Sequence, residues 1–359
     1  MQDEILFPKL LITSDNTLFM SYLCSYHDYN AVVLKYNGVD WEMVGSPVSD
    51  LDSSRVFGLD FAIDSEDNLW VSYVEPIRKP IMKITTKKYN PLTQMWDIIN
   101  EFEDVDILGL VLRIDMNDNI YLAISQDTTP GVTRQIIIRR YNKITSKWET
   151  LGDYIGTVIQ GGDFLIDEQG NLFLIILELV SETENYMECF KYNDGLNAWE
   201  RLGSIWQPPL PIQTINLHKN NDGLFFTCGR LFEERGEAKS GISVVKYSTV
   251  DEHWDFVGEE DLISEGSGNR PHLNSYNNIL YCMFNNTTTR PGSLTVKRFD
   301  SVTWETHGQE RNTSDNVNFI SSVFISEEEK YIGFLDFSVE QRPSVMTFGK
   351  FYPPPKPEK

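Results

Sequence analysis

A basic residue followed by an aromatic one recurs seven times along this chain at nearly constant spacing. The pairs are Lys35-Tyr36, Lys88-Tyr89, Arg140-Tyr141, Lys191-Tyr192, Lys246-Tyr247, Arg298-Phe299 and Lys350-Phe351. Successive pairs lie 53, 52, 51, 55, 52 and 52 residues apart, a period that makes the chain a repeat array and not a string of unrelated domains. Six pairs are followed, after a short polar turn, by a tryptophan: Trp41, Trp96, Trp148, Trp199, Trp254 and Trp304. The seventh runs instead into the proline-rich YPPPKPEK.

A second repeat precedes each pair: a short apolar run, a turn rich in Asp, Asn and Gly, and a second apolar run that usually begins Leu-aromatic. LDFAIDSEDNLWVSY, LVLRIDMNDNIYLAI and DFLIDEQGNLFLII are clear copies. Asp and Asn close such turns through side-chain hydrogen bonds to their own backbone, and Gly and Asn tolerate positive φ. Each unit therefore reads as strand A, a tight turn, strand B, a variable loop, strand C with its basic–aromatic end, a short turn, and strand D with its Trp. A four-stranded sheet of this kind has two apolar faces and buries both only by stacking on its neighbours. Tyr36 and its equivalents, with the repeated tryptophans, are placed by this pattern between the sheets, and the Lys or Arg beside each aromatic is expected to extend to the rim.

These motifs resemble the loose bacterial-type repeats of seven-bladed β-propellers, which read Asp-x-x-Gly/Asn-Leu-aromatic, then Lys/Arg-Tyr, then Trp-Glu-x-Leu-Gly. The chain does not resemble Kelch, WD40 or Asp-box sialidase repeats: Gly161-Gly162 is its one paired glycine, and Trp-Asp occurs only at Trp96-Asp97 and Trp254-Asp255. The resemblance implies an all-β fold, a seven-bladed propeller of four-stranded antiparallel blades, forming one domain over residues 1–352 with a Pro-rich tail at 353–359. Two closures of the last blade are open. Either the N-terminal stretch Glu4 to Phe7 supplies the missing outer strand, or the blade stays three-stranded with the tail along its edge.

Composition narrows the partners. The chain has 359 residues, 53 of them Asp or Glu against 31 Lys or Arg, a net charge of −22, so its field repels nucleic acid and anionic membranes. Cys24, Cys189, Cys228 and Cys282 lack metal-knuckle or redox spacing and read as core thiols. No cofactor or metal is expected. Asp115-Met116-Asn117-Asp118-Asn119 has oxygen ligands at alternate positions but lacks the glycine and distant glutamate of a calcium loop, and reads as a turn. The start MQDEILFPKL has no signal-peptide character, which makes a cytoplasmic address the default. Sequons at Asn285, Asn286 and Asn312 leave secretion open.

In a propeller the D–A and B–C loops share the face that usually binds ligands, and here those loops vary most. Arginines collect in them, including Arg55, Arg230, Arg270 and Arg342, and a guanidinium recognises a planar anion with two parallel hydrogen bonds. Asn269-Arg270-Pro271-His272 sets an anion binder beside a group that titrates near neutrality. Trp206, in SIWQPPLP, stands apart from the repeated tryptophans and offers a stacking surface for a sugar or a protein. The leading reading is a non-catalytic propeller that binds a protein or glycan, an anionic ligand being one option, through Arg55, Trp206, Arg230, Arg270, His272 and Arg342. The alternative is a glycoside hydrolase or polysaccharide lyase that uses Asp60, Arg113, Asp163 and His272. A structural module of a larger assembly is a third.

Overall fold

A computed structural model describes residues 5–24, 30–49, 56, 58–129, 133–156, 159–179, 184–207, 212–234, 237–258, 262–264, 268–286, 293–308, 316–324, 330–337 and 345–351. Among them are 27 strands and no helix. The first sheet contains β1 (Ile5–Ile12), β2 (Leu18–Cys24), β3 (Asn30–Tyr36) and β4 (Trp41–Met43). The second contains β5 (Gly58–Ile63), β6 (Leu69–Arg78), β7 (Ile81–Asn90) and β8 (Met95–Val105), and the third β9 (Ile107–Ile114), β10 (Ile120–Thr129), β11 (Thr133–Asn142) and β12 (Lys147–Thr150). The fourth contains β13 (Ile159–Ile166), β14 (Leu172–Leu179), β15 (Asn185–Asn193) and β16 (Ala198–Arg201). The fifth contains β17 (Ile212–Asn220), β18 (Gly223–Glu234), β19 (Glu237–Ser248) and β20 (His253–Phe256). The sixth contains β21 (Gly268–Tyr276), β22 (Ile279–Asn286), β23 (Ser293–Phe299) and β24 (Trp304–Thr306), and the last only β25 (Asn316–Phe324), β26 (Lys330–Phe337) and β27 (Val345–Phe351).

Each sheet is a meander in chain order, and the described strand pairings are antiparallel. This is the all-β propeller class, with six four-stranded blades among the described residues where the sequence led us to expect seven. The seventh repeat forms a three-stranded sheet because it has no Trp strand. The N-terminal stretch does not supply one: Ile5 and Leu6 pair with Cys24 and Leu23, in the same sheet as the strand they lead into. A break in register between Leu6 and Lys9, with Phe7 at φ 52°, bends that strand without releasing it to another sheet. Glu4 and the 353–359 tail lie outside the described residues.

The chain forms two compact units: residues 1–160 with 164–178 and 190–201, and residues 161–163 with 179–189 and 202–359. In the first, buried side chains such as Val33, Phe61, Val71 and Tyr73 form one core, Ile84, Leu112 and Ile124 the next, and Ile138, Phe164 and Leu174 a third. Each core lies between neighbouring sheets. In the second unit, Val244, Leu273 and Phe284 do the same, followed by Tyr281, Val296 and Ile332. Burying a side chain of this size stabilises by about 1.5–3 kcal/mol, which explains why strands exposed on neither face read as continuous apolar runs.

The repeated aromatics form a constant device. The rings of Tyr36 and Trp41, Tyr89 and Trp96, Tyr141 and Trp148, Tyr192 and Trp199, Tyr247 and Trp254, and Phe299 and Trp304 lie 5.2–5.3 Å apart. Three indoles also reach the preceding blade. Trp96 donates to the Val44 carbonyl at 3.1 Å, Trp199 to Leu151 at 2.8 Å and Trp304 to Val257 at 2.7 Å. The residue after each of those carbonyls is a glycine at positive φ. A Cβ on Gly152 would lie 2.9 Å from the Trp199 ring, so the close approach and the backbone angle both exclude a side chain. The basic neighbours of the aromatics do not simply reach the rim: Lys88, Lys191 and Lys246 lie 5.0, 5.8 and 5.5 Å from the strand-B rings of Trp70, Phe173 and Phe225.

Candidate functional site on the inner strands

In several blades strand A carries a polar residue three positions before the one that pairs with the first leucine of strand B; the third blade has Val111 there. Counted this way from Ile63↔Leu69, Lys219↔Leu224 and Ser275↔Leu280, the residues are Asp60, Asn216 and His272. Asp163 takes the same place relative to its turn, since Asp64 and Asp167 make the same backbone hydrogen bond to the residue four further on.

Three of these residues, Asp60, Asp163 and Asn216, link one strand A to the next. Asp60 accepts the Leu112 N–H at 2.8 Å and an Arg113 Nη1–H at 2.9 Å on one oxygen, and the Lys9 ammonium at 2.6 Å and the Phe61 N–H at 2.8 Å on the other. Burial acts to raise its pKa, but Lys9, Arg113 and these hydrogen bonds outweigh it and hold the carboxyl below the usual 3.8. In the second unit Asp163 accepts the Leu217 N–H at 2.8 Å and the Asn216 amide at 3.0 Å, and Asn216 in turn accepts the Leu273 N–H at 2.9 Å. The acids therefore hold strands together, and Arg113 is committed to Asp60.

His272 departs from this pattern. Leu273 beside it is pinned to Asn216, yet among the described residues the His272 ring makes no hydrogen bond of its own. The ring is half-buried, and desolvation takes its pKa from 6.5 down to about 4. His218, on the neighbouring β17, is close enough to feel it: burial first, then the charge of His272, then Lys219 lower the His218 pKa to about 4. His218 Nε2 lies 2.8 Å from Ser275 Oγ on β21. Two neutral imidazoles thus stand on adjacent strands, one anchored and one not. Sequence reasoning singled out His272; it missed His218, which carries no motif and is found only through its pairing with Ser275, 57 residues away.

The other expected site residues scatter. Arg55 and Arg342 lie outside the described residues, and of Arg270 only the backbone, in β21, is described. Arg230 is fully buried. Its Nη1 donates to Ser243 Oγ at 2.9 Å and its guanidinium lies 5.4 Å from the Phe256 ring. Trp206, expected to be exposed, is half-buried, edge-on to Phe226 at 5.2 Å and Phe256 at 5.8 Å. It is not outside the repeat after all. Its N–H donates to the Met187 carbonyl as that of Val48 does to Ala31, Ile155 to Ile136 and Ile263 to Ile242, so it resumes strand D after the glycine break. Asp115 is an ordinary turn: its carboxylate accepts the N–H groups of Asn117 and Asn119 and the Tyr121 hydroxyl. Among the described residues no group of His, Cys, Asp and Glu is arranged to hold a metal ion.

No protein-family model matches this sequence, and no curated protein is similar to it. Solved structures are similar in fold. The polysaccharide lyase Uly1 shares 9% identity over 96% of this chain and 89% of its own, with a TM-score of 0.61. An ulvan lyase of polysaccharide lyase family 25, bound to -[GlcA(1-4)Rha3S]-, shares 9% over 98% and 94%, also with a TM-score of 0.61. An α-L-arabinofuranosidase from Fusarium graminearum, in complex with an iminosugar inhibitor, shares 9% over 82% and 93%, with a TM-score of 0.51. At such identities the likeness is one of fold.

Proposed function

We propose that this chain is a carbohydrate-active propeller that cleaves a uronate-containing polysaccharide by β-elimination, with His272 as the base. The observation that carries this reading is the His272 ring, which makes no hydrogen bond among the described residues at a strand position where Asp60, Asp163 and Asn216 link blades. In the reaction His272 takes the proton from the carbon next to the uronate carboxylate. The electron pair left behind forms a carbon–carbon double bond as the bond to the glycosidic oxygen breaks, and the departing oxygen takes up a proton from solvent water. His272 is neutral at physiological pH, so its lone pair is available, and an anionic substrate beside it raises its pKa toward the range where a base works best. Arg270, two residues upstream on β21, is the candidate to neutralise the carboxylate.

Hydrolysis by paired carboxylates draws less support, because Asp60 is held ionised and hydrogen-bonded on both oxygens and offers no proton. The non-catalytic reading draws none from neighbours that are two lyases and a glycosidase. The test is a panel of sulfated and unsulfated uronate polysaccharides followed by the ultraviolet absorbance of the unsaturated product. We expect turnover on at least one, reduced about 10²–10⁴-fold by His272→Ala. Absence of the chromophore on every polymer, or full activity of the variant, would overturn the proposal.

A further inference from the structure

A cleft of about 490 Å³ opens in the first unit at the A–B and C–D turn ends of the third and fourth sheets, within the size range of small-ligand sites. Tyr121, Arg140, Asn171, Lys191, Asp194 and Glu200 line it. The repeat is altered here. In the second sheet the strand-C lysine, Lys88, lies 3.3 Å from the aspartate of its own turn, Asp64. In the third, the corresponding Asp115 is occupied by the Tyr121 hydroxyl at 3.1 Å, and Arg140 faces Asp194 of the next sheet instead, 3.7 Å away. That distance is too long for a direct hydrogen bond, so guanidinium and carboxylate both keep capacity for a ligand.

We propose that this cleft binds an uncharged, hydroxyl-rich sugar unit, at a site independent of His272. Its charged side chains balance, Arg140 and Lys191 against Asp194 and Glu200, which does not suit a sulfate, phosphate or carboxylate on a chain of net charge −22. A sugar hydroxyl donates and accepts at once, and the cleft presents both partners: carboxylate oxygens on Asp194 and Glu200, and N–H groups on Arg140 and Lys191, the Asn171 amide being held by Asp167. Tyr121 adds a rigid floor, since burial and Asp115 push its pKa to about 12 and keep the hydroxyl protonated.

The experiment titrates the full chain with uncharged gluco-, xylo- and rhamno-oligosaccharides, and separately with inorganic sulfate, by calorimetry and saturation-transfer NMR. Asp194 and Glu200 are exposed, so Asp194→Ala and Glu200→Ala leave the core intact, which matched thermal melts will verify. One uncharged series is expected to bind, with Kd raised about tenfold or more by each substitution and unchanged by His272→Ala. No binding of any uncharged sugar, binding indifferent to both substitutions, or occupation by sulfate in its place overturns the proposal. A lyase assay that fails while this binding persists would reject the elimination reading alone.

Discussion

At the scale of single residues, the two inner-strand histidines and the linking aspartate respond to pH in separate windows. In the unfolded chain His218 and His272 titrate near 6.5, and in the fold near 4. Between those values the unfolded state takes up protons that the folded state refuses, so stability falls as pH drops from about 6.5 to about 4 and these two residues cause no further loss below that. Asp60 acts in the opposite sense to an acid with a raised pKa. Its depressed value means that its stabilisation is complete above 3.8 and is lost only as pH falls below that. A urea midpoint series from pH 7 to pH 4 should therefore decline, and the double variant His218→Gln with His272→Gln should flatten it. A decline that persists in the double variant would locate the proton uptake elsewhere.

The blade-to-blade device is tested at the scale of the element. Trp199 gives its indole N–H to the Leu151 carbonyl, whereas the buried indole nitrogen of Trp148 has no hydrogen-bond partner among the described residues. Both pack on the neighbouring tyrosine at nearly the same ring separation. Replacing each by Phe keeps most of that contact and removes the N–H. Trp199→Phe should then cost about 1–3 kcal/mol, because a carbonyl loses its donor, while Trp148→Phe should cost measurably less. Equal losses in denaturant titrations would show that area, and not the hydrogen bond, sets the value of these tryptophans. The pair also marks how far a repeat can be read from sequence. Tyr and Trp at fixed spacing announced inter-blade packing, but their identical signatures did not reveal that one indole is bonded and the other is not.

For the molecule as a whole, the four thiols report on cooperativity. None is in a disulfide and all are buried, which shields them from alkylation in the folded state, and burial pushes Cys228 and Cys282 up to about 12, so these two offer no thiolate near neutral pH. Labelling must await opening. The repeats argue for one domain over residues 1–352, which predicts a single labelling phase for all four in denaturant. Separate unfolding of the two compact units would split Cys24 from Cys189, Cys228 and Cys282. Mass spectrometry of pulse-labelled protein decides between them.

The amino-acid sequence by itself determined the strand period, the turn chemistry and the aromatic seam, because each is written within a few dozen residues by backbone hydrogen bonding and hydrophobic alternation. It placed the expected site in the variable loops and singled out His272 among several candidates. What only the tertiary structure decided is which polar residues are committed. Asp60 and Asp163 find their partners 51 to 54 residues away, Trp206 joins the repeat through a single backbone bridge, and Arg230 is buried among aromatics. Such partners are brought together by stacking of whole sheets, a long-range event that leaves no local mark on the chain. For that reason the sequence could not show that Asp60, Asp163 and Asn216 are held by partners on neighbouring strands while the His272 ring makes no hydrogen bond among the described residues.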